Sequence, residues 1–399
     1  MKPKFYKRVL ENGATVIFEH RKNSGIVSVA FAVKHGGIHE DLSEKGISHF
    51  IEHMLYKGTK NRTSKKISEE IEKRGGILNG FTEEEMTAYW CKMPSQHINV
   101  ALEVLSDMLK NSVFDEKELE KERKVIFEEM KMRKDTPQIY VYDKIQSLLY
   151  EGNLAYDIIG TEESMNSINR NKIIDKFNEN YGTNNMVVCV VGDADFESIC
   201  KFVQDNFKKK IVEIKQPKII MKNKSLVETK KGIDQVNMIF AFHSPDATNK
   251  KSYAAQVLST IMAGGMSSRL FQEIREKRNL AYAVKGNCHM GRLFGYVSVY
   301  IGTQKENMEG VKKIILEEFA KIQNISDKDL EEAKEQIVGN SRISREDSQG
   351  QMLDLLYNEI YGDAKNSYKF EKEILKVKKE DLKKIADFKN YSLLALVPE

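Results

Sequence analysis

The protein has 399 residues, of which 41% are hydrophobic and 31% charged, a composition typical of globular domains and not of disordered chains. Lysine and arginine number 63 and aspartate and glutamate 59, and this balance does not favour a nucleic-acid or anionic-membrane binder. The four cysteines form no C-x-x-C pair, no apolar run is long enough to cross a membrane, and no hydrophobic signal follows the basic start, so we expect a cytoplasmic protein without a disulfide scaffold.

The first half of the chain alternates strand-like and helical patterns. Residues 8–10 and 15–18 flank a glycine-containing turn and predict a hairpin, and a β-branched run at 26–33 predicts a third strand. Apolar periodicity predicts helices, and one short apolar run predicts a buried strand. The expected helices span 44–57, 65–74, 96–110, 116–133 and 171–180, and the strand spans 186–191.

The second half resembles the first in its order of elements. Residues 226–242 are again strand-like, and a helical pattern at 377–382 precedes an apolar run at 393–397, as at the end of the first half. A period of half the chain predicts an α+β fold built from two homologous α/β units. We place these units at 1–210 and 225–399, joined by an exposed linker at 211–224. The lysine-rich run there also fits a nucleic-acid patch, but a solvated connector is the favoured interpretation.

The segment 48–56 carries the pattern H-x-x-E-H, formed by His49, Glu52 and His53. On a helix these three side chains share one face, while apolar residues on the opposite face anchor the helix in a core. Histidines at i and i+4 can direct their ring nitrogens at one metal ion, and Glu52 can reach a water on that metal without being a ligand. The pattern is that of the inverted zinc-protease helix. The structural alternative is a pair of surface histidines beside a helix-stabilising glutamate.

A zinc site of this kind needs a third protein ligand. His35 and His39 lie close by in sequence but surround a glycine pair, where a turn is the simpler explanation. The other candidates are carboxylates on the helix that begins at residue 116, and periodicity does not select Glu129 over Glu128. Glu118, Glu122 and Glu129 share one broad face of that helix.

Several segments together resemble the pitrilysin/insulysin family of zinc metallopeptidases, and most closely its short-chain branch, which includes the mitochondrial processing peptidase. The resemblance rests on the H-x-x-E-H segment, on Gly75-Gly76, on Asn79-Gly80-Phe81-Thr82, and on residues 125–130. It extends over essentially the whole chain and implies that each half of the chain is one α/β unit and that the two form half of a clamshell.

The resemblance implies a ligand set. His49, His53 and Glu129 would hold one Zn²⁺ per chain, and Glu52 would be the general base. Glu122, seven residues before Glu129, would orient the ligands. The alternative for Glu122 is a plain exposed glutamate.

The resemblance also implies how substrate is held. Asn79, Gly80, Phe81 and Thr82 would form a strand edge to which a peptide adds as a further strand. Gly80 stands where the family usually has alanine, which is expected to loosen that edge, and core packing is the alternative for Phe81. From the second half, Arg275 would bind a substrate carbonyl and Tyr282 the oxyanion.

The second half has no H-x-x-E-H pattern, and alignment of Leu330 with Leu119 places Ala333 opposite Glu122 and Asn340 opposite Glu129. We therefore expect a degenerate copy without metal ligands. The sequence as a whole predicts a zinc endopeptidase that cleaves unfolded peptides in the chamber of a homodimer, with no nucleic-acid or membrane partner. Two alternatives are a non-catalytic or partner-dependent subunit, and a leader-peptide peptidase that works with a paralogous partner.

Overall fold

The computed structural model describes residues 4–386 and 390–399. The strands, in chain order, are β1 (Lys4–Val9), β2 (Thr15–His20), β3 (Ile26–Val33), β4 (Ile77–Thr82), β5 (Thr87–Pro94), β6 (Tyr150–Glu151), β7 (Met186–Gly192), β8 (Ile220–Met221), β9 (Ser225–Lys230), β10 (Val236–His243), β11 (Ala281–Met290), β12 (Gly295–Thr303) and β13 (Ser392–Pro398).

The α-helices are α1 (Ile47–Leu55), α2 (Ser64–Glu72), α3 (Ile98–Asn111), α4 (Glu116–Asp135), α5 (Pro137–Leu149), α6 (Glu162–Ser167), α7 (Arg170–Asn180), α8 (Phe196–Asn206), α9 (Ser252–Ala263), α10 (Met308–Ala320), α11 (Asp327–Glu346), α12 (Ser348–Tyr361), α13 (Phe370–Leu375) and α14 (Lys379–Ile385). A π-helical turn spans Phe271–Glu276. No helix among the described residues combines the length and the apolar character that crossing a membrane would require.

The chain divides into two compact units. The first comprises the chain up to Met130, Asp157–Pro217 and Ser344–Ser367, and the second comprises Lys131–Tyr156, Lys218–Ile343 and the chain from Tyr368 onward. Each unit has its own buried apolar cluster. Both units combine a mostly antiparallel sheet with helices, so the predicted α+β class with two similar domains is confirmed.

The first unit contains a six-stranded sheet in the order β1-β2-β7-β3-β5-β4. Of the strand pairs that the described residues form in this sheet, β2 with β7 is parallel and the others are antiparallel. The predicted hairpin is confirmed, because β1 and β2 pair antiparallel across the turn. The strand β4 carries the predicted substrate edge; within the described ranges its one partner strand is β5, so it lies at the edge of the sheet.

The second unit contains a five-stranded sheet in the order β11-β12-β10-β13-β9. Its single parallel pair joins the first strand of the second half, β9, to the last, β13. The corresponding strands β2 and β7 form the parallel pair in the first unit, so the two halves share one topology. The strand-like stretch 226–242 is two strands, β9 and β10, because a turn separates them.

Two helices cross the sequence boundary between the halves. The helix α5 comes from the first half of the chain but packs on β13 and β10, and α12 comes from the second half but packs on β7 and β3. The two compact units are therefore discontinuous in sequence. Compared with the predicted units 1–210 and 225–399, segment 131–156 lies in the second compact unit and segment 344–367 lies in the first. Those boundaries followed sequence similarity, which carries no information about which sheet a helix covers. Within the predicted linker 211–224, residues 211–219 have no regular structure, whereas Ile220–Met221 forms the strand β8 and pairs with β6.

Candidate metal centre and its surroundings

The helix α1 is the platform of the candidate site. Its apolar side chains are at most 1% exposed and belong to the core of the first unit; they are Ile47, Phe50, Ile51, Met54 and Leu55. The side chains of His49 and His53 lie on the other face and are 12% and 20% exposed. The structure therefore has the predicted buried apolar face of this helix and, opposite it, the face that carries the two histidines.

The start of α1 is fixed by a buried carboxylate. The backbone N–H groups of Gly46 and Ser48 donate to the two oxygens of Glu40, at 2.9 and 2.7 Å. These N–H groups have no partner within the helix, so the carboxylate satisfies them and complements the helix dipole. Gly46 has φ of 92°, and a Cβ there would lie 2.5 Å from the carbonyl oxygen of Ile159. The helix therefore begins where glycine allows the chain to turn.

Three potential ligand atoms converge above α1. The Nε2 atoms of His49 and His53 lie 3.7 and 3.9 Å from Oε2 of Glu129 on α4, and among the described residues these three form the group whose geometry could hold a metal ion. On a tetrahedral zinc with bonds of about 2.0 Å, ligand atoms lie about 3.3 Å apart. The observed separations are slightly longer, and two imidazoles with one carboxylate leave the fourth position open. The donor set therefore fits a catalytic zinc ion.

The other ligand candidates lie elsewhere. Glu128 is exposed and is outside the three-residue group, because one residue along a helix turns the side chain by about 100°. Glu118 forms an ion pair with Lys121. His35 and His39 stack on each other with ring centroids 5.1 Å apart.

Glu122 lies behind the second histidine. Its Oε2 lies 3.1 Å from Nδ1 of His53, and its Oε1 lies 2.8 Å from Nζ of Lys57. Burial raises the pKa of Glu122, but the hydrogen bonds from His53 and Lys57 outweigh burial and hold that pKa below its usual value. An ionised Glu122 accepts the Nδ1 proton of His53, which leaves Nε2 unprotonated on the side of Glu129. The sequence did not indicate Lys57, whose side chain carries no motif.

Glu52 lies between the two histidines in sequence and is 9% exposed. Its Oε2 accepts a hydrogen bond of 2.8 Å from the hydroxyl of Thr82 at the end of β4. Burial raises the pKa of Glu52, and the Thr82 hydrogen bond and the neighbouring His53 oppose that rise. Thr82 was predicted as part of a substrate edge, and sequence reasoning missed that its side chain holds Glu52.

The remaining edge residues follow one another along β4. Asn79 is exposed, and its own Oδ1 accepts from the N–H of Gly80 at 2.8 Å. The ring of Phe81 stacks on Tyr357 of α12 with centroids 6.4 Å apart. Phe81 therefore has a packing partner and is still partly exposed.

The first unit thus brings together His49, Glu52, His53, Glu122 and Glu129. Arg275 and Tyr282 belong to the second unit. The guanidinium of Arg275 lies 4.8 Å above the ring of Phe271 on the π-helical turn. Tyr282 is 50% exposed and sits at a break in register on β11, since Ala281 pairs with Thr303 but Ala283 pairs with Gly302. A bulge of this kind aims a side chain away from the regular sheet pattern.

Comparison with known proteins identifies two family models. Residues 15–162 match the model described as insulinase, peptidase family M16, and residues 167–337 match the M16 inactive domain. The stretch that matches the inactive-domain model contains no H-x-x-E-H pattern in its sequence.

Curated relatives and solved structures agree with these matches. An uncharacterised zinc protease of Bacillus subtilis, YmxG, is 33% identical over 350 residues, 86% of this chain and 85% of the relative. An uncharacterised zinc protease of Rickettsia bellii is 32% identical over 352 residues, 87% and 85% of the two chains. A Helicobacter pylori protease has the same fold, with a TM-score of 0.93 at 22% identity over 99% of this chain and 100% of that chain. A putative M16-like peptidase from Alicyclobacillus acidocaldarius has a TM-score of 0.85 at 18% identity, over 100% and 99%. The protein belongs to peptidase family M16, the pitrilysin family.

Proposed function

We propose that the protein is a zinc-dependent endopeptidase whose active site is built on α1 and α4 of the first unit. The observation that carries this proposal is the convergence of His49 Nε2, His53 Nε2 and Glu129 Oε2 beside a buried carboxylate, Glu52. The relatives named zinc proteases support the choice of metal.

Each residue of the proposed site has a distinct role in hydrolysis. His49, His53 and Glu129 would hold the zinc ion, which when bound would supply Lewis-acid activation of a water and of the peptide carbonyl. Glu52, held in place by Thr82, takes the proton from the attacking water and passes it to the leaving nitrogen. Glu122 accepts a hydrogen bond from the protonated Nδ1 of His53. This contact holds the proton on Nδ1 and leaves Nε2 free for the metal.

The edge of β4 is the proposed substrate platform. An extended peptide would pair with the outer backbone groups of Asn79–Thr82, so affinity would depend little on side-chain identity. The side chain of Asn79 would hold a peptide carbonyl and Phe81 would line a side-chain pocket. From the second unit, Arg275 would bind a substrate carbonyl and Tyr282 would donate to the oxyanion, and the exposure of Tyr282 supports such a role.

The proposal extends to assembly and location. We propose a cytoplasmic homodimer that encloses a chamber for unfolded peptides, with one zinc per chain. Dedicated leader-peptide processing with a paralogous partner remains the alternative within the same chemistry, and dependence of activity on a second chain would distinguish it.

The test is cleavage of a quenched fluorescent peptide by the purified protein, beside Glu52→Gln and the matched control Glu128→Gln. Zinc content is measured on all three proteins. We expect the wild type and the control to cleave, and Glu52→Gln to lose activity by at least about 100-fold at full zinc content. Retained activity in Glu52→Gln would contradict the assignment of the base. A zinc-free, inactive wild type after zinc loading would contradict the proposed function.

A further inference from the structure

The phenol of Tyr56 occupies an unusual position directly after the functional face of α1. Its hydroxyl oxygen is buried and has no hydrogen-bond partner within the described part of the chain. A buried hydroxyl without a partner is costly, and phenylalanine would fill the same space without that cost. The packing of the described residues therefore does not explain why a hydroxyl is present here.

Space for this hydroxyl depends on Gly80 of β4. A Cβ placed on Gly80 would lie 2.5 Å from Oη of Tyr56, a distance that real Cβ atoms do not tolerate, and 3.1 Å from Oε1 of Glu52. The phenol oxygen and the carboxylate oxygen thus both lie beside the same backbone position of the edge strand, as does the carbonyl oxygen of Ala88, 3.0 Å from that Cβ. Glycine within a strand often marks such a close approach. Gly80, expected from the sequence to loosen this edge, makes room for Tyr56.

The surroundings leave Glu52 as the anionic acceptor for Tyr56. The nearby phenols of Tyr89 and Tyr181 bond to each other at 2.8 Å. Thr82 already donates to Oε2 of Glu52, so Oε1 is the oxygen that faces Gly80 and Tyr56. Burial, with the charge of Glu52 adding to it, raises the pKa of Tyr56 well above its usual value, so the phenol keeps its proton as a donor.

We propose that Tyr56 is a positioning residue for the general base: in the zinc-loaded protein its hydroxyl donates a hydrogen bond to Oε1 of Glu52, in space that only glycine at position 80 provides. Hydrogen bonds at catalytic sites are often long in unliganded structures and shorten when the site is filled. Glu52 would then be held by Thr82 from one side and by Tyr56 from the other. This inference rests on the proposed function.

The test compares the wild type with Tyr56→Phe, Gly80→Ala and the double variant. Tyr150→Phe is the control, because its hydroxyl also donates to protein, to the carbonyl oxygen of Gly295, but in the second unit. Steady-state kinetics, zinc affinity and urea unfolding of the zinc-free form are measured on all five proteins.

We expect Tyr56→Phe to lower kcat roughly tenfold, with KM and zinc affinity unchanged within about twofold, because only the geometry of the base is affected. Gly80→Ala should raise the unfolding equilibrium constant about tenfold, and Tyr56→Phe in the same chain should reverse most of that loss, since it removes the atom that the new methyl group meets. The double variant should regain stability but not kcat. A purely structural role would restore both together.

Three results would overturn the inference alone, given a wild type that cleaves peptide: wild-type kcat in Tyr56→Phe, recovery of kcat together with stability in the double variant, or no coupling between positions 56 and 80 in unfolding. Equal loss of kcat in Tyr150→Phe would also overturn it, because the effect would then not be specific to Glu52. A zinc-loaded wild type that cleaves no peptide would overturn the proposed function, and the positioning role with it.

Discussion

The Nδ1 atom of His53 lies 3.1 Å from Oε2 of Glu122, and Lys57 holds the other oxygen of the same carboxylate at 2.8 Å. A lysine, a carboxylate and an imidazole thus form a short chain that ends at the ring nitrogen nearest Glu129. Lys57 orients the carboxylate of Glu122, and this carboxylate orients the imidazole of His53 and holds the proton on its Nδ1. These contacts link the end of α1 and the residues just after it to α4.

This arrangement predicts that Glu122→Gln weakens zinc binding about 10- to 100-fold while the fold stays intact. The amide retains the shape but loses the charge that favours the Nδ1 proton on His53. Zinc affinity, measured by competition with a chelator, checks this, and Glu118→Gln on the same helix is the control. Unchanged zinc affinity in Glu122→Gln would contradict the role of Glu122.

The assignment of the third ligand predicts a sharp contrast between adjacent glutamates. Glu129→Gln should lower zinc affinity by more than about 100-fold, since a direct ligand matters more than its hydrogen-bond partner. Glu128→Gln should bind zinc like the wild type, because Glu128 is exposed and outside the ligand group. The same chelator competition measures both. Equal losses, or a larger loss in Glu128→Gln, would refute the assignment.

The carboxylate of Glu40, which accepts hydrogen bonds from the start of α1, also belongs to a buried ion pair. Nζ of Lys45 lies 3.6 Å from Oε2 of Glu40, and both side chains are at most 1% exposed. Glu40→Gln removes the charge that pairs with the buried ammonium of Lys45, which keeps its hydrogen bond to the carbonyl oxygen of Gly37, so the variant should lower the free energy of unfolding by about 3–5 kcal/mol in urea. The exposed Glu72→Gln should change it by less than about 0.5 kcal/mol.

A double variant distinguishes the ion pair from the hydrogen bonds of Glu40. If loss of the ion pair lowers the stability of Glu40→Gln, then adding Lys45→Met should recover part of that stability relative to Glu40→Gln alone. No recovery would mean that the hydrogen bonds from Glu40 to α1, and not the ion pair, account for the effect.

A partly buried histidine in the second unit predicts loss of stability in mild acid. His289 stacks on Tyr296 with centroids 4.4 Å apart, and burial lowers its pKa from 6.5 to about 4. Between these values the unfolded chain binds a proton that the folded chain does not, so stability falls as pH decreases from about 6.5 to about 4, by up to ~1.4 kcal/mol per pH unit. In urea titrations across this range, His289→Gln should reduce the slope by about one proton. An unchanged slope would contradict the prediction.

The sequence predicts the helix that carries the candidate site, but it does not predict the side-chain contacts around Glu52 and Tyr56. The helix α1 was predictable because its apolar residues and its histidines follow helical periodicity on opposite faces. Glu129 was not selected by periodicity, since Glu128 fits the same helix, and only family resemblance distinguished them. The contacts of Glu52 with Thr82 and of Tyr56 with Gly80 depend on how β4 packs against α1, which no local pattern encodes.

Sequence periodicity also does not indicate that α5 packs on the sheet of the second unit and α12 on the sheet of the first. The amphipathic faces of α5 and α12 specify that each helix covers a sheet but not which sheet. Their burial depends on contacts between residues far apart in the chain, such as the hydrogen bond of 2.9 Å between the hydroxyls of Ser28 and Ser348. Domain boundaries drawn from internal similarity therefore describe the repeat and not the packing.

The most direct test of the account is the position of the metal in zinc-loaded crystals, located by anomalous scattering at the zinc edge. We predict one peak per chain within about 2.0–2.2 Å of His49 Nε2, His53 Nε2 and a carboxylate oxygen of Glu129, with an open fourth position beside Glu52. A peak bound by other residues, or no peak in protein loaded with zinc, would contradict the central claim.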